Sequence, residues 1–154
     1  MYSLTFKPDS NTSHDKNTWD DWQLIPDSPP MVPTPEVITN YIDIPGRTKG
    51  PIDASSFLGN KVQYKRITGS WNFFREITSI NDRMTIYETL RKFFTGKIMK
   101  VVLTTDDAAH YFVGRFTVTP PKAAMNPMSL TINFDLEPMR YNLSNNAIDT
   151  TWVN

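Results

Sequence analysis

A chain of 154 residues and 17.7 kDa has room for one ordinary domain. Sixteen basic and sixteen acidic residues leave no net charge, which argues against a polyanion binder that relies on surplus Lys and Arg. The absence of cysteine excludes disulfides, thiol catalysis and cysteine-ligated metals.

Leu, Ile, Val and Phe supply 37 residues, about 24% of the chain. That exceeds the roughly 20% below which disorder prevails, so a core is available. Eighteen Thr and twelve Ile against six Ala favour sheet over helix. No run approaches the ~20 apolar residues of a membrane span. The first thirty residues lack an apolar central region, so synthesis in a cytoplasm without secretion is expected.

In chain order, Ser3–Phe6 reads as a short strand, and residues 7–18, polar and without period, as a loop or extended arm. Trp19 and Trp22 bracket Asp20 and Asp21. Seven prolines between Pro26 and Pro51 then favour an extended, polyproline-like crossing segment. Residues 36–44 are rich in β-branched and aromatic side chains and predict a strand, stopped by Pro45-Gly46. Residues 46–62 carry Gly46, Gly50, Pro51 and Gly59 and predict a long loop, a kind usually functional or disordered. Within it, Phe57 and Leu58 are apolar in polar surroundings, as if something covered them.

Residues 62–77 predict a strand that places Trp71 and Phe73 on one face. Ile80, Met84, Tyr87, Leu90 and Phe94 then step at helical spacing. Ser79 or Asn81 can cap the start and Gly96 suits the position after the end, so one helix is expected over about 82–95. Three strands follow, over 98–104, 110–118 and 128–136, the first two joined by a turn at 105–109. Leu130, Ile132, Phe134 and Leu136 alternate cleanly with polar residues. Residues 139–154 form a polar tail whose Trp152 should dock on something. The fold class is α+β, mostly β: an antiparallel sandwich or open barrel with one packed helix and extended loops. Residues 1–154 form a single domain with its core at about 17–138. Trp71, Phe73, Tyr87, Leu90, Phe94, Phe116, Ile132 and Phe134 are the expected core.

Chemistry is sparse. His14 and His110 lack evident partners in the sequence. Asp20-Asp21 and Asp106-Asp107 are adjacent pairs whose side chains point apart, and the second pair suits a turn. No phosphate-binding glycine loop, calcium loop or nucleophile elbow occurs. Lys61, Tyr64, Lys65 and Arg66 read as a solvated strand edge before they read as a nucleic-acid contact. No catalytic, cofactor-binding or metal residue is assigned, and an enzyme is not expected. Aromatic residues outside regular structure are enriched at interfaces. Trp19, Trp22, Phe57, Leu58 and Trp152 are therefore the candidate inter-subunit contacts; folding back onto the chain's own core is the alternative for the three tryptophans.

Several segments together resemble the distal tail proteins of tailed phages of Gram-positive bacteria. They are Asn17-Thr18-Trp19-Asp20-Asp21-Trp22 with Leu24-Ile25-Pro26, and Pro35-Glu36-Val37 with Asn40 to Gly46. Arg66 to Phe73, Gly114 to Val118, and Leu136-Glu137-Pro138 follow in the same order. The resemblance implies a sheet domain akin to the tail-tube fold, assembled as a hexameric ring in the virion tail after synthesis in the host cytoplasm. It also implies tail-tube and tail-tip hub proteins as partners, DNA only in transit through the lumen, no membrane anchor and no cofactor. A tail-tube or tail-completion protein, or a small carbohydrate-binding module with Trp19, Trp22 or Trp152 as a sugar platform, are the alternatives.

Overall fold

Three long strands near the chain's C-terminal half and one before the helix build the frame of the computed structural model. It describes residues 1–39, 41–46, 48–53, 63–121 and 126–152. Phe57, Leu58 and the greater part of the expected 46–62 loop lie outside those residues.

The strands are β1 (Thr5–Lys7), β2 (Lys16–Asn17), β3 (Ile25–Pro26), β4 (Tyr41–Ile42), β5 (Ile52–Asp53) and β6 (Ile67–Arg75), followed by α1 (Ile80–Phe94). After the helix come β7 (Ile98–Leu103), β8 (Asp107–Thr119), β9 (Met128–Leu136) and β10 (Tyr141–Asn142). The main sheet runs β2-β1-β7-β8-β9-β6-β3, with β10 added on β8. Every pairing is antiparallel, and the sheet is open rather than closed into a barrel. The mostly-β, one-helix class expected from the sequence is the one observed.

The alternation read in 128–136 is realised in full. Met128, Leu130, Ile132, Phe134 and Leu136 are buried, and each faces the helix side. β6 pairs with β9 along its whole length, from Ile67↔Leu136 to Arg75↔Met128. Trp71 and Phe73 thereby join the same buried face. Phe6, Trp22, Phe94, Phe116, Trp71 and Phe134 form a continuous aromatic cluster, with centroid separations from 4.3 Å (Trp71–Phe134) to 6.2 Å (Phe6–Trp22). Tilted and edge-on pairs at these distances add to the area they bury. The opposite face is polar. There Asn72 accepts a hydrogen bond from the Thr131 hydroxyl at 2.8 Å, and the Asn133 amide donates to the Thr119 hydroxyl at 2.9 Å.

Gly114 is required by the approach of two strands. A Cβ there would meet the Asp135 carbonyl oxygen at 2.2 Å and the Leu136 Cα at 2.8 Å, neither of which can swing aside.

The helix starts where its cap allows. Ser79 is extended and its hydroxyl accepts from the Asp82 N–H at 3.1 Å, while Gly96 takes φ +61° just past the end. Its buried face differs from the expected one. Ile86, Leu90 and Phe94 face the sheet, Tyr87 is half-buried, and Ile80 and Met84 stay 82% and 51% exposed. The two stripes are contiguous and differ by roughly 100° of rotation, so spacing alone could not choose between them.

Other expectations shift for local reasons. Residues 7–18 are not a free arm: β1 and β2 pair, with Thr5 opposite Asn17, around a short 3-10 turn at Thr12–His14, and Lys7 binds Asp15 at 2.7 Å. The 36–44 strand shrinks to a bridge at Val37↔Tyr64 and to β4, and the 62–77 strand to 67–75. β8 begins at Asp107, so the turn before it is shorter than 105–109. Among the expected edge cations, Lys65 lies 3.6 Å from Glu36 and Arg66 lies 2.8 Å from Asp135.

Truncating Trp71 or Phe134 to Ala should cost ~3–5 kcal/mol in a urea unfolding series. Ile80→Ala and Met84→Ala, on the outer stripe, should each change stability by no more than about 0.5 kcal/mol.

Candidate functional site

An exposed arm, a tight turn and the C-terminal tail carry the candidate contact residues that the structure describes.

The first is an arm. After β3 the chain runs extended along the open edge of β6. The Asp27 N–H donates to the Asn72 carbonyl at 3.1 Å, and the Trp71 indole N–H donates to the Met31 carbonyl at 3.0 Å. Proline lacks an amide hydrogen, so this stretch is fastened by side-chain and isolated backbone bonds rather than by a ladder. At its root, Lys65 donates to the Glu36 carbonyl at 2.8 Å and Ile38 to the Gln63 carbonyl at 2.7 Å. Beyond, among the described residues, β4 and β5 pair only with each other, with Tyr41 opposite Asp53 and Ile42 opposite Ile52. Gly46 and Gly50 both take positive φ between them. Tyr41 is 59% exposed, and Ile38, Ile42 and Ile44 are exposed as well.

The second is the turn at Asn17–Gln23. The Asn17 side-chain oxygen accepts from the Trp19 N–H at 2.9 Å and the Asp20 N–H at 3.0 Å, while the Asp21 carboxylate accepts from the Asn17 N–H at 2.7 Å. This is the local bonding for which Asn and Asp are favoured at turns. Buried Thr18 accepts from the Leu4 N–H, and Gln23 adopts φ +52°. The tightness of the turn sends its two indoles opposite ways. Trp19 is 39% exposed, whereas Trp22 is 4% exposed and packs against Phe6, Phe93 and Phe94. For Trp22 the fold-back alternative is the one observed.

The C-terminal tail docks on its own chain. β10 pairs with β8, Tyr141 opposite Tyr111 and Asn142 opposite His110. Arg140 binds the Asp149 carboxylate through Nε at 2.9 Å and through a second guanidinium nitrogen, and reaches Asp107 at 3.3 Å. Trp152 meets Phe112 edge-on at 5.1 Å, with the Arg140 guanidinium 5.8 Å from its ring centre.

Both histidines have carboxylate partners, contrary to expectation. His14 Nδ1 lies 2.7 Å from Asp9 on the surface. His110 Nδ1 lies 2.7 Å from Asp107, and its Nε2 lies 3.4 Å from Asp149, which is buried. Asp9 and Asp107 lie within a few residues of their histidines in the chain, and only Asp149 is brought in from a separate segment. The Asp107 and Asp149 carboxylates are also engaged by Arg140, so this cluster serves as a bracket between the tail and β8. A surface groove of about 390 Å³ is lined by Asp9, His14, Lys16, Phe93 and Lys97. Among the described residues, no group of three or more His, Asp or Glu is arranged to hold a metal.

The Thr151 hydroxyl first, then the Arg140 guanidinium and the Thr151 N–H, hold the Asp149 carboxyl well below the usual carboxylate range. A depressed carboxyl contributes stability that is complete above its unfolded value of about 4 and is lost as the pH falls through the folded value. Trp152 fluorescence should therefore stay constant from neutral pH to about pH 4 and change below it. Asp149→Asn should bring the acid-state signal to neutral pH. Burial, then the hydrogen bond to Glu137, pushes Tyr141 up to about 12. Its neutral form is the one the fold favours, so absorbance at 295 nm should show a tyrosine titrating near 12 that Tyr141→Phe removes.

No protein-family model matches the chain, and no curated protein matches it in sequence. Among solved structures it is similar to the crystal structure of the SPP1 Dit protein (gp 19.1), described as a paradigm of the hub adsorption apparatus in phages infecting Gram-positive bacteria. The TM-score is 0.67 at 11% identity over 92% of this chain and 52% of that one. The chain thus spans about half the length of that protein. The phage distal tail resemblance read from the sequence segments is therefore matched in three dimensions: this chain has the fold of part of the SPP1 Dit protein.

Proposed function

We propose that this protein is a structural component of a phage tail, a ring that joins the distal end of the tail tube to the tail-tip hub or baseplate. The observation that carries the reading is the fold likeness to SPP1 Dit over nearly the whole chain, joined to an apolar arm that projects from the sheet. A head-to-tail ring needs one surface of a copy to meet a different surface of the next, and an arm supplies such a contact. The ring is hexameric, it forms in the host cytoplasm and resides in the virion tail, and the tail-tube and hub proteins are its neighbours. DNA crosses its lumen without sequence recognition. Zero net charge and a polar sheet face, on which Arg66 pairs with Asp135 and Arg115 with the Gly96 carbonyl, suit a surface that does not trap DNA. The role is architectural, with no substrate turned over.

Trp19 and the arm are the inter-subunit contacts in this proposal, with Phe57 and Leu58 as part of the arm's sequence. Trp152 contributes only the part of its ring that Phe112 leaves open. A sugar-platform reading loses one of its three candidate rings, since Trp22 lies in the core.

Native mass spectrometry and negative-stain imaging of the purified protein, alone and with its tail-tube partner, test the reading. Closed rings of six copies are expected. Deleting residues 48–58 should leave the thermal melt of the body in place and abolish ring formation. A monomer that joins neither itself nor the tube protein would overturn the proposal.

A further inference from the structure

Helix α1 carries more apolar surface than its own sheet can use. Beside the buried Ile86, Leu90 and Phe94 lies the outer stripe of Ile80, Met84 and Tyr87. Exposed apolar side chains at successive turns of one helix form a continuous patch, which a soluble surface carries at a cost unless something covers it. Next to the stripe, between α1 and β8, lies a groove of about 290 Å³. Tyr87, Arg91 and Phe94 of the helix and Phe116 and Val118 of β8 line it. The groove is large enough for one or two aliphatic side chains.

The same chain holds a segment with the converse property. Val37, Ile38, Tyr41, Ile42 and Ile44 are exposed on an arm whose two short strands, among the described residues, pair only with each other. The arm is rooted beside β6, near one end of the sheet, whereas the groove lies over β8, two strands further in. Donor and acceptor are thus different surfaces of one molecule, the requirement for a contact that repeats from copy to copy. Charge agrees: Asp43 sits among the arm's apolar residues, and Arg91 is one of the residues lining the groove.

We propose that the stripe Ile80–Met84–Tyr87 and the groove beside it seat the arm of a second copy of this chain, with Ile42 lying against Met84, Ile44 entering the groove and Asp43 near Arg91. The inference rests on the ring reading and names the acceptor surface within it.

Because the chain contains no cysteine, a cross-link gives an unambiguous test. Met84→Cys and Ile42→Cys are made as separate proteins and mixed under mild oxidation. A disulfide forms only where the two Cβ atoms come within about 4.5 Å. A covalent dimer of one of each, absent from either protein alone, is the expected result. Met84→Glu, at an exposed position, should keep the unchanged protein's melting temperature while shifting the native mass from ring to monomer. Oligomers without the mixed dimer, and with no effect of Met84→Glu, would overturn this acceptor surface and leave the ring standing. Met84→Cys linking to itself would point to a symmetric helix-to-helix dimer and also overturn the proposal. A protein that stays monomeric at its highest soluble concentration would overturn both readings. Protection of Met84→Cys from thiol labelling only by added tail-tube protein would assign the stripe to that partner and overturn the proposal.

Discussion

The structure depends on how one apolar sheet face is covered by a single helix. Five adjacent strands, β1, β7, β8, β9 and β6, span about 19 Å at the usual spacing, while a helix with its side chains is only about 10–12 Å wide. A helix of that width cannot roof the face alone. The remainder is closed by residues from the N-terminal turn, Trp22 and Leu24, and by Val32 from the proline-rich crossing, all packed into the same cluster. This explains why the segment before β6 is extended rather than folded into a unit of its own. Its role is to lay side chains across a gap.

The division between core and periphery follows from that. Where a segment is needed as cover it is fixed by buried rings and by turn bonds, as at Asn17 and Asp21. Where the cover is complete, the chain runs outward, and its apolar residues find no seat at home. The arm and the outer stripe of α1 are both surplus in this sense. Polar residues at these positions would suit a surface left in water; apolar ones make both surfaces candidates for contact.

Much of this could be read in the sequence, and the reasons for the failures are physical. β9 was legible to its end residues because a strand with one wet and one dry face alternates strictly. The helix was legible from its cap and its spacing, but not its orientation: Leu90 and Phe94 belong to both possible stripes, and only packing on β8 selects Ile86 over Ile80. The fate of Trp22 was not legible. It depends on a turn whose bonds run between Asn17, Asp21 and the backbone, and the two tryptophans flanking it look alike in composition. The tail bracket was hidden for another reason. Arg140, Asp149, Asp107 and His110 meet through β10 pairing, and no period in the sequence announces ion pairs between separate segments. The phage resemblance came from the order of short segments, several of which are now seen to be turns and strand cores.

The β6–β9 ladder has a consequence for how the protein is made. Its partners are separated by 53 residues at Arg75↔Met128 and by 69 at Ile67↔Leu136. On the ribosome, β6 emerges with Trp71 and Phe73 long before the strand that will cover its flank exists. Long-range pairing of this kind slows folding and leaves an unpaired apolar strand in the growing chain. During that interval the helix and β7–β8 can form first, from contacts nearer in sequence. Folding of the sheet would then end with insertion of β9 between β8 and β6, the step that ties the β6–β3 edge to the rest of the sheet.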